Sequence, residues 1–149
     1  MAVTKVLARG WTFEINTGTE ATPVWTPIGG INSFSISTTK NDADATSFDS
    51  GGWLEHLVAS RSRQITLEGF HLEDPADGTR DPGQEAVEEL ADQVGEASLG
   101  QFRITSPGGK TWTFKASADV QGPGGGNDDF ASWSATLTVS GRITKGAAV

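Results

Sequence analysis

Ser132-Trp133-Ser134-Ala135-Thr136-Leu137-Thr138-Val139-Ser140 alternates without a break. Trp133, Ala135, Leu137 and Val139 fall on one side, and five hydroxyl residues fall on the other. A strict period of two marks a β-strand with one face in a core and one face in water. Three other stretches repeat the pattern. In 31–38, Phe34 and Ile36 oppose Ser33, Ser35 and Ser37. In 64–70, Ile65 and Leu67 oppose Gln64, Thr66 and Glu68. In 111–117, Trp112, Phe114 and Ala116 oppose Thr111, Thr113, Lys115 and Ser117. The wet face is long, nearly uncharged and chemically uniform. A catalytic site gathers a few different, convergent groups, whereas a smooth hydroxyl-lined sheet suits a surface along which something lies or passes.

Further elements follow from the same rules. Trp11, Phe13 and Ile15 alternate with Thr12 and Glu14, which predicts a strand over 11–16. Residues 24–28 form a short strand whose Pro27 places it at an edge or a bulge. Residues 39–52 carry no period and read as one long polar loop, of a length uncommon in compact domains unless functional. Residues 53–59 fit a helical turn or a strand, and a strand follows over 61–72.

One helix is predicted over 82–94. Asp81 is its cap, Pro82 its first residue, and Gln84 stands where a capping box would close. Val87, Leu90, Ala91 and Val94 make a narrow apolar stripe, Glu85, Glu88 and Glu89 suit the positive end of the dipole, and Gly95 ends it. Residues 102–105 are a strand, Pro107-Gly108-Gly109 turns a hairpin, 122–129 is a flexible loop, and the last strand ends near Ile143. The expected fold is mainly β, a β-sandwich or partly open barrel with one packed α-helix, in a single domain over 1–149.

The chain has 149 residues and a formal charge of −8. That balance argues against a protein that grips nucleic acid, since phosphate binding needs clustered Lys and Arg. Absence of cysteine rules out disulfides and thiolate metal sites. Residues 1–10 lack the apolar stretch of a signal peptide, and no run approaches the about 18 apolar residues of a membrane helix. Synthesis in the cytoplasm and no membrane partner are expected. Between Glu68 and Glu96 ten acids face one base, Arg80, so the rest of the chain is close to neutral. Such a run is a solvated helix face with an acidic loop, or an acidic surface turned toward DNA or a partner.

Weighed singly, the motifs are weak for chemistry. Asp42, Asp44 and Thr46 match the start of a calcium loop, but Ser47 stands where glycine belongs and Trp53 where glutamate belongs. Phe48 and Trp53 in the same segment favour an assembly loop, because a solvated loop has no use for large apolar groups. Gly122-Pro123-Gly124-Gly125-Gly126 lacks the lysine and helix of a phosphate loop, and Asp128 and Asp129 would repel phosphate. His56 and His71 are the only histidines, no nucleophile-elbow sequence is present, and His71 with Glu73 lacks a third metal ligand. No catalytic residue, metal or cofactor is expected. Trp11, Trp25, Trp112 and Trp133 are expected as core anchors, Trp53 as an interface residue.

Thr46-Ser47-Phe48-Asp49-Ser50-Gly51-Gly52-Trp53, then Arg61-Ser62-Arg63-Gln64-Ile65-Thr66-Leu67-Glu68-Gly69, and the ending Trp133 to Gly141 resemble the major tail tube protein of long-tailed, siphovirus-like bacteriophages. The order of elements fits from about residue 11 to 143. The resemblance implies a tail-tube fold and a structural virion protein. Such subunits form six-fold rings that stack into a tube, with four strands per subunit closing one barrel around the DNA channel. Ser33, Ser35, Ser37, Thr66, Glu68, Thr111, Thr113, Ser134, Thr136 and Thr138 would then face the channel, where a neutral or acidic wall lets DNA slide. Lys115 departs from that wall and Glu68 agrees with it. Asp42, Asp44, Phe48 and Asp49 in the 39–52 loop, with Trp53 directly after it, would contact a neighbouring subunit or ring, and 1–10 and 144–149 would be arms that order on stacking. Implied partners are copies of itself, a tape-measure protein, tail terminator and distal tail proteins, and passing DNA. The inner tube of a contractile tail or related injection system shares the fold and is the nearest alternative. A carbohydrate- or protein-binding β-sandwich module is the rival from another class.

Overall fold

The computed structural model describes residues 3–146. Seven strands make one antiparallel sheet: β1 (Thr12–Asn16), β2 (Trp25–Pro27), β3 (Ile31–Asp44), β4 (His56–Phe70), β5 (Gly100–Thr105), β6 (Thr111–Gly124) and β7 (Ser132–Gly146), in the order β2-β1-β5-β6-β7-β4-β3. All four alternating stretches are strands, and they are neighbours, β6-β7-β4-β3. Their apolar sides share one face. Ile65, Leu67, Phe114, Ala116, Trp133, Ala135 and Leu137 are buried there with Phe13, Ile15, Phe102 and Ile104. Each large side chain in that set contributes about 1.5–3 kcal/mol by leaving water.

The sheet rolls on itself. Phe34 of β3 packs on Trp11 and Phe13 from the far side of the strand order, with ring centroids 5.6 and 5.0 Å apart. A single curled sheet of this kind is the partly open barrel, and the stacked pair of sheets is not formed. The helix α1 (Pro82–Ala91) packs mainly on β6, with lighter contact to β1 and β2. Asp81 caps it, its Oδ2 accepting the Gln84 N–H at 3.1 Å and the Gly29 N–H at 3.0 Å. Gly83 is needed where the helix meets β2, because a Cβ there would collide with the Pro27 carbonyl oxygen.

Gln84 does not close a capping box. It is fully buried, donates through Nε2 to the Gly29 and Phe70 carbonyls at 2.9 and 2.7 Å, and accepts the Leu72 N–H at 3.2 Å. Three backbone groups that would otherwise be buried without partners claim the side chain. Trp133, 1% exposed, donates Nε1–H to Glu88 Oε1 at 3.1 Å, and Arg80 grips the same carboxylate through two nitrogens at 2.9 and 3.0 Å. The Arg80 hydrogen bonds, helped by that of Trp133, hold the Glu88 carboxyl below its ordinary pKa against the opposing effect of burial.

Several expected boundaries move. The helix ends at Ala91, not 94: Asp92 caps it, a separate 3₁₀ turn spans Gly95–Ser98, and Val94 is exposed. The chain has to turn back there, since Leu90 already lies against Gly100 at the start of β5. Residues 39–52 are not one loop. β3 runs on to Asp44 and β4 begins at His56, leaving a connection over 45–55. No alternation marks 39–44 because neither face of that stretch is buried, so no apolar period is required of it. β6 likewise reaches Gly124 and β7 reaches Gly146, so 144–146 are strand and not tail, while 147–149 lie outside the described residues. Of the expected N-terminal arm, residues 3–10 are exposed and end in a 3₁₀ turn at Ala8–Gly10, and residues 1–2 lie outside the described residues.

Candidate functional site

Strand register assembles the polar face row by row. Ser35, Thr66, Thr136 and Asp119 lie side by side across β3, β4, β7 and β6. Ser33, Glu68, Ser134 and Gln121 form the next row, and Ser37, Gln64, Thr138 and Ser117 the third. Among these twelve residues the only charges are Glu68 and Asp119, both negative. The row members Ser33, Ser35, Ser37, Glu68 and Thr138 are exposed; Thr66, Ser134 and Thr136 are half-buried by neighbours on the same face. Asp119 and Gln121 are additions that the apolar–polar alternation past Ser117 could have supplied.

Thr111 and Thr113 share the face but not the rows. They pair with Thr105 and Arg103 of β5, beside an Arg103–Glu14 ion pair at 2.9 Å. Lys115 also stands on this face, between Gln101 and Ser140, and Glu20 lies 3.2 Å from its Nζ. Trp25 is not a core anchor: it sits on the polar side under the Arg103 guanidinium, 4.6 Å from the ring centre. A pairing partner of opposite charge leaves Arg103 little free to act on anything else.

Both edges of the four-strand panel are open. β3 is the last strand of the order. β6 pairs with β5 only as far as Ala116, so residues 117–124 have no strand on that side. Free N–H and C=O groups along such edges are templates for another chain.

Beyond Ser37 and Gln64 the β3 and β4 strands leave the sheet and pair only with each other, from Thr38 opposite Arg63 to Asp44 opposite His56. This two-stranded ribbon carries the expected interface residues at its end. Its closing loop is built by hydrogen bonds: Asp44 Oδ1 accepts the Thr46 N–H at 2.8 Å, Thr46 Oγ1 accepts the Glu55 N–H at 2.9 Å, and Ser47 and Ser50 cap the 3₁₀ turn Phe48–Ser50 reciprocally. The Thr46 hydrogen bonds hold the Asp44 carboxyl below its ordinary pKa. Asp42, Asp44 and Asp49 do not converge, and no three His, Asp or Glu among the described residues are placed to hold a metal. Phe48 is fully exposed, and Trp53, Leu54, Leu57 and Val58 each expose more than half of their surface. Leu54, Leu57 and Val58 join Phe48 and Trp53 only once the loop is seen to be a ribbon.

His71 packs near Glu73, with Nε2 3.7 Å from its carboxylate, and His56 is exposed on the ribbon. Among the described residues, the buried Nδ1 of His71 has no hydrogen-bond partner. No helix among the described residues is long and apolar enough to cross a membrane.

No protein-family model and no curated protein matches the sequence. Solved structures do match the fold. The tail of an empty gene transfer agent particle, refined with C6 symmetry, aligns at TM-score 0.73 and 18% identity over 96% of this chain and 100% of that one. The SPP1 tail tube aligns at TM-score 0.69 and 14% identity over 97% of this chain and 81% of that one. The tube-terminating cap of the anti-feeding prophage aligns at TM-score 0.63 and 16% identity over 99% and 95%. The chain has the tail-tube fold.

Proposed function

We propose that this chain is a structural subunit of a phage-type tail tube, which closes with copies of itself into six-fold rings that stack around a DNA channel. The observation that carries the proposal is the four-strand panel: three rows of polar, cation-free side chains with an open edge on each side. Pairing β3 of one copy with the free half of β6 in the next extends the rows around a ring and removes both edges. The three rows so joined offer DNA hydroxyl groups and a little negative charge, with no cation among them to hold phosphate, while Lys115 beside them is paired with Glu20. Phe48, Trp53 and the ribbon's other exposed apolar groups would be covered by a neighbouring subunit or ring.

In this reading the protein is a virion component with no catalytic role. Its partners are its own copies, a tape-measure protein within the tube, terminator and distal proteins at the tube's ends, and DNA in transit. The likeness to a cap of the anti-feeding prophage supports a second version of the same role, the inner tube of a contractile injection system. The test is negative-stain electron microscopy of the purified protein at high concentration, beside sizing chromatography. Rings or hollow tubes are expected; a monomer at every concentration would count against assembly as the function.

A further inference from the structure

The cations of this chain are unevenly spent. Of eleven Lys and Arg, Arg80, Arg103 and Lys115 are in ion pairs within the chain. Four of the others, Arg61, Arg63, Arg142 and Lys145, line a single open cleft of about 1060 Å³. It opens where β4 and β7, paired from Gln64–Thr138 to Phe70–Ser132, part company toward the ribbon. No Asp or Glu lines it, and no carboxylate among the described residues reaches ion-pair distance of these four. Four like charges gathered without a counter-charge repel one another, in a protein whose net charge is −8.

The opposite end of the same strands is acidic. After Phe70 the chain turns through Glu73, Asp74 and Asp77, and the β6–β7 turn carries Asp128 and Asp129. The two turns are tied by the His71 N–H bonded to the Ala131 carbonyl at 2.9 Å, and all five acids are exposed. Nine strand positions separate Phe70 from Arg61, roughly 30 Å at the rise of a β-strand. The ribbon beyond the cleft carries Asp42, Asp44, Asp49 and Glu55, so the basic surface is the cleft itself and not that whole end. Two sites of opposite sign on one molecule suit a second copy either head to tail or antiparallel about a two-fold axis, and the stacking of rings selects the head-to-tail contact.

We propose that the β4–β7 cleft docks the acidic turns of a second copy of this chain, head to tail, through Arg61, Arg63, Arg142 and Lys145. The proposal rests on the ring-stacking reading and names the surfaces that would meet. A protein occupant fits better than DNA. Arg61 and Arg63 have the strand parity of Ile65 and Leu67, so these two project away from the hydroxyl face that DNA would follow, while Arg142, next to the buried Ile143, stands at the cleft's other side.

The test uses the full chain in two charge-reversed variants, Arg61→Glu with Arg142→Glu, and Glu73→Lys with Asp128→Lys. None of these four side chains donates or accepts a turn-closing hydrogen bond, and circular dichroism and thermal melting check that each variant folds. Assembly is followed by light scattering and negative-stain microscopy at about 50 and about 500 mM NaCl, which brackets strong and weak screening. Wild-type stacking should weaken at the higher salt, and each variant alone should need an about tenfold or higher concentration to stack. An equimolar mixture should recover wild-type stacking, because each altered cleft then meets an altered end of opposite sign. Rings and stacks that form at wild-type concentrations in both variants overturn this inference and leave the tube reading standing. Variants that lose stacking alone and also fail when mixed overturn it too. A gel shift with duplex DNA that is lost in Arg61→Glu with Arg142→Glu, while stacking is unchanged, makes the cleft a phosphate site and overturns it. A wild-type chain that forms neither rings nor stacks removes both readings.

Discussion

β3 and β4 run continuously through two regions that differ in everything but backbone pairing. In the sheet, residues 31–37 and 64–70 put Ile65 and Leu67 at 0% exposure and Phe34 and Ile36 against the core. In the ribbon, residues 38–44 and 56–63 are exposed on both faces apart from a half-buried Arg63, and the apolar side chains point to solvent. A two-stranded hairpin alone is marginal in water. The sheet half therefore folds the chain, and the ribbon half spends its apolar surface on something outside it. Mutations should split the same way, with the sheet governing stability and the ribbon governing assembly.

The largest loss of stability is expected in the sheet. Trp133→Ala should cost about 3–5 kcal/mol by denaturant unfolding, since it opens a cavity and takes a donor from Glu88. Glu88→Gln should cost about 1 kcal/mol, because the Arg80 pair is partly exposed. The pH dependence has a fixed sign. Glu88 is held below its ordinary 4.5, so its contribution is complete above that value and fades as pH falls through the lower folded one. Acid melts of wild type and Glu88→Gln should converge; a gap that widens in acid would contradict the Arg80–Glu88–Trp133 arrangement. At the ribbon, Phe48→Ser with Trp53→Ser should move unfolding by less than about 0.5 kcal/mol and abolish rings in micrographs. A large stability loss there would erase the distinction between the halves. The subtlest readout belongs to Ser134, Thr136 and Thr138 replaced together by Arg, a chain that should still assemble yet slow DNA ejection from particles. Unchanged ejection would remove those side chains from the channel wall.

Where apolar residues alternate, the elements were legible. The strands around Phe34, Leu67, Phe114 and Leu137 and the Asp81-Pro82 start of the helix stand where patterning and capping put them. The β3 half of the ribbon escaped and the β4 half was read only in part, as a strand from 61 with 53–59 left between a helical turn and a strand, because a strand with no buried face owes nothing to a period of two. Gln84 escaped because its three backbone partners come from Gly29, Phe70 and Leu72, distant in sequence or across a turn. Most candidate wall residues fell on one face, since register follows from the core side of each strand. Thr111 and Thr113 were set apart by β5, a neighbour that local pattern does not reveal. The cleft around Arg61 and Arg142 joins residues far apart in sequence and became visible only with the parting of β4 from β7.

The most direct test is a cryo-electron microscopy reconstruction of tubes assembled from the purified chain. The expected map has six-fold rings with Ser35, Thr66, Thr136 and Asp119 lining the lumen and β3 of each copy hydrogen-bonded to β6 of the next. A tube whose lumen is lined instead by the ribbon or the helix, with the hydroxyl rows turned outward, would contradict the account.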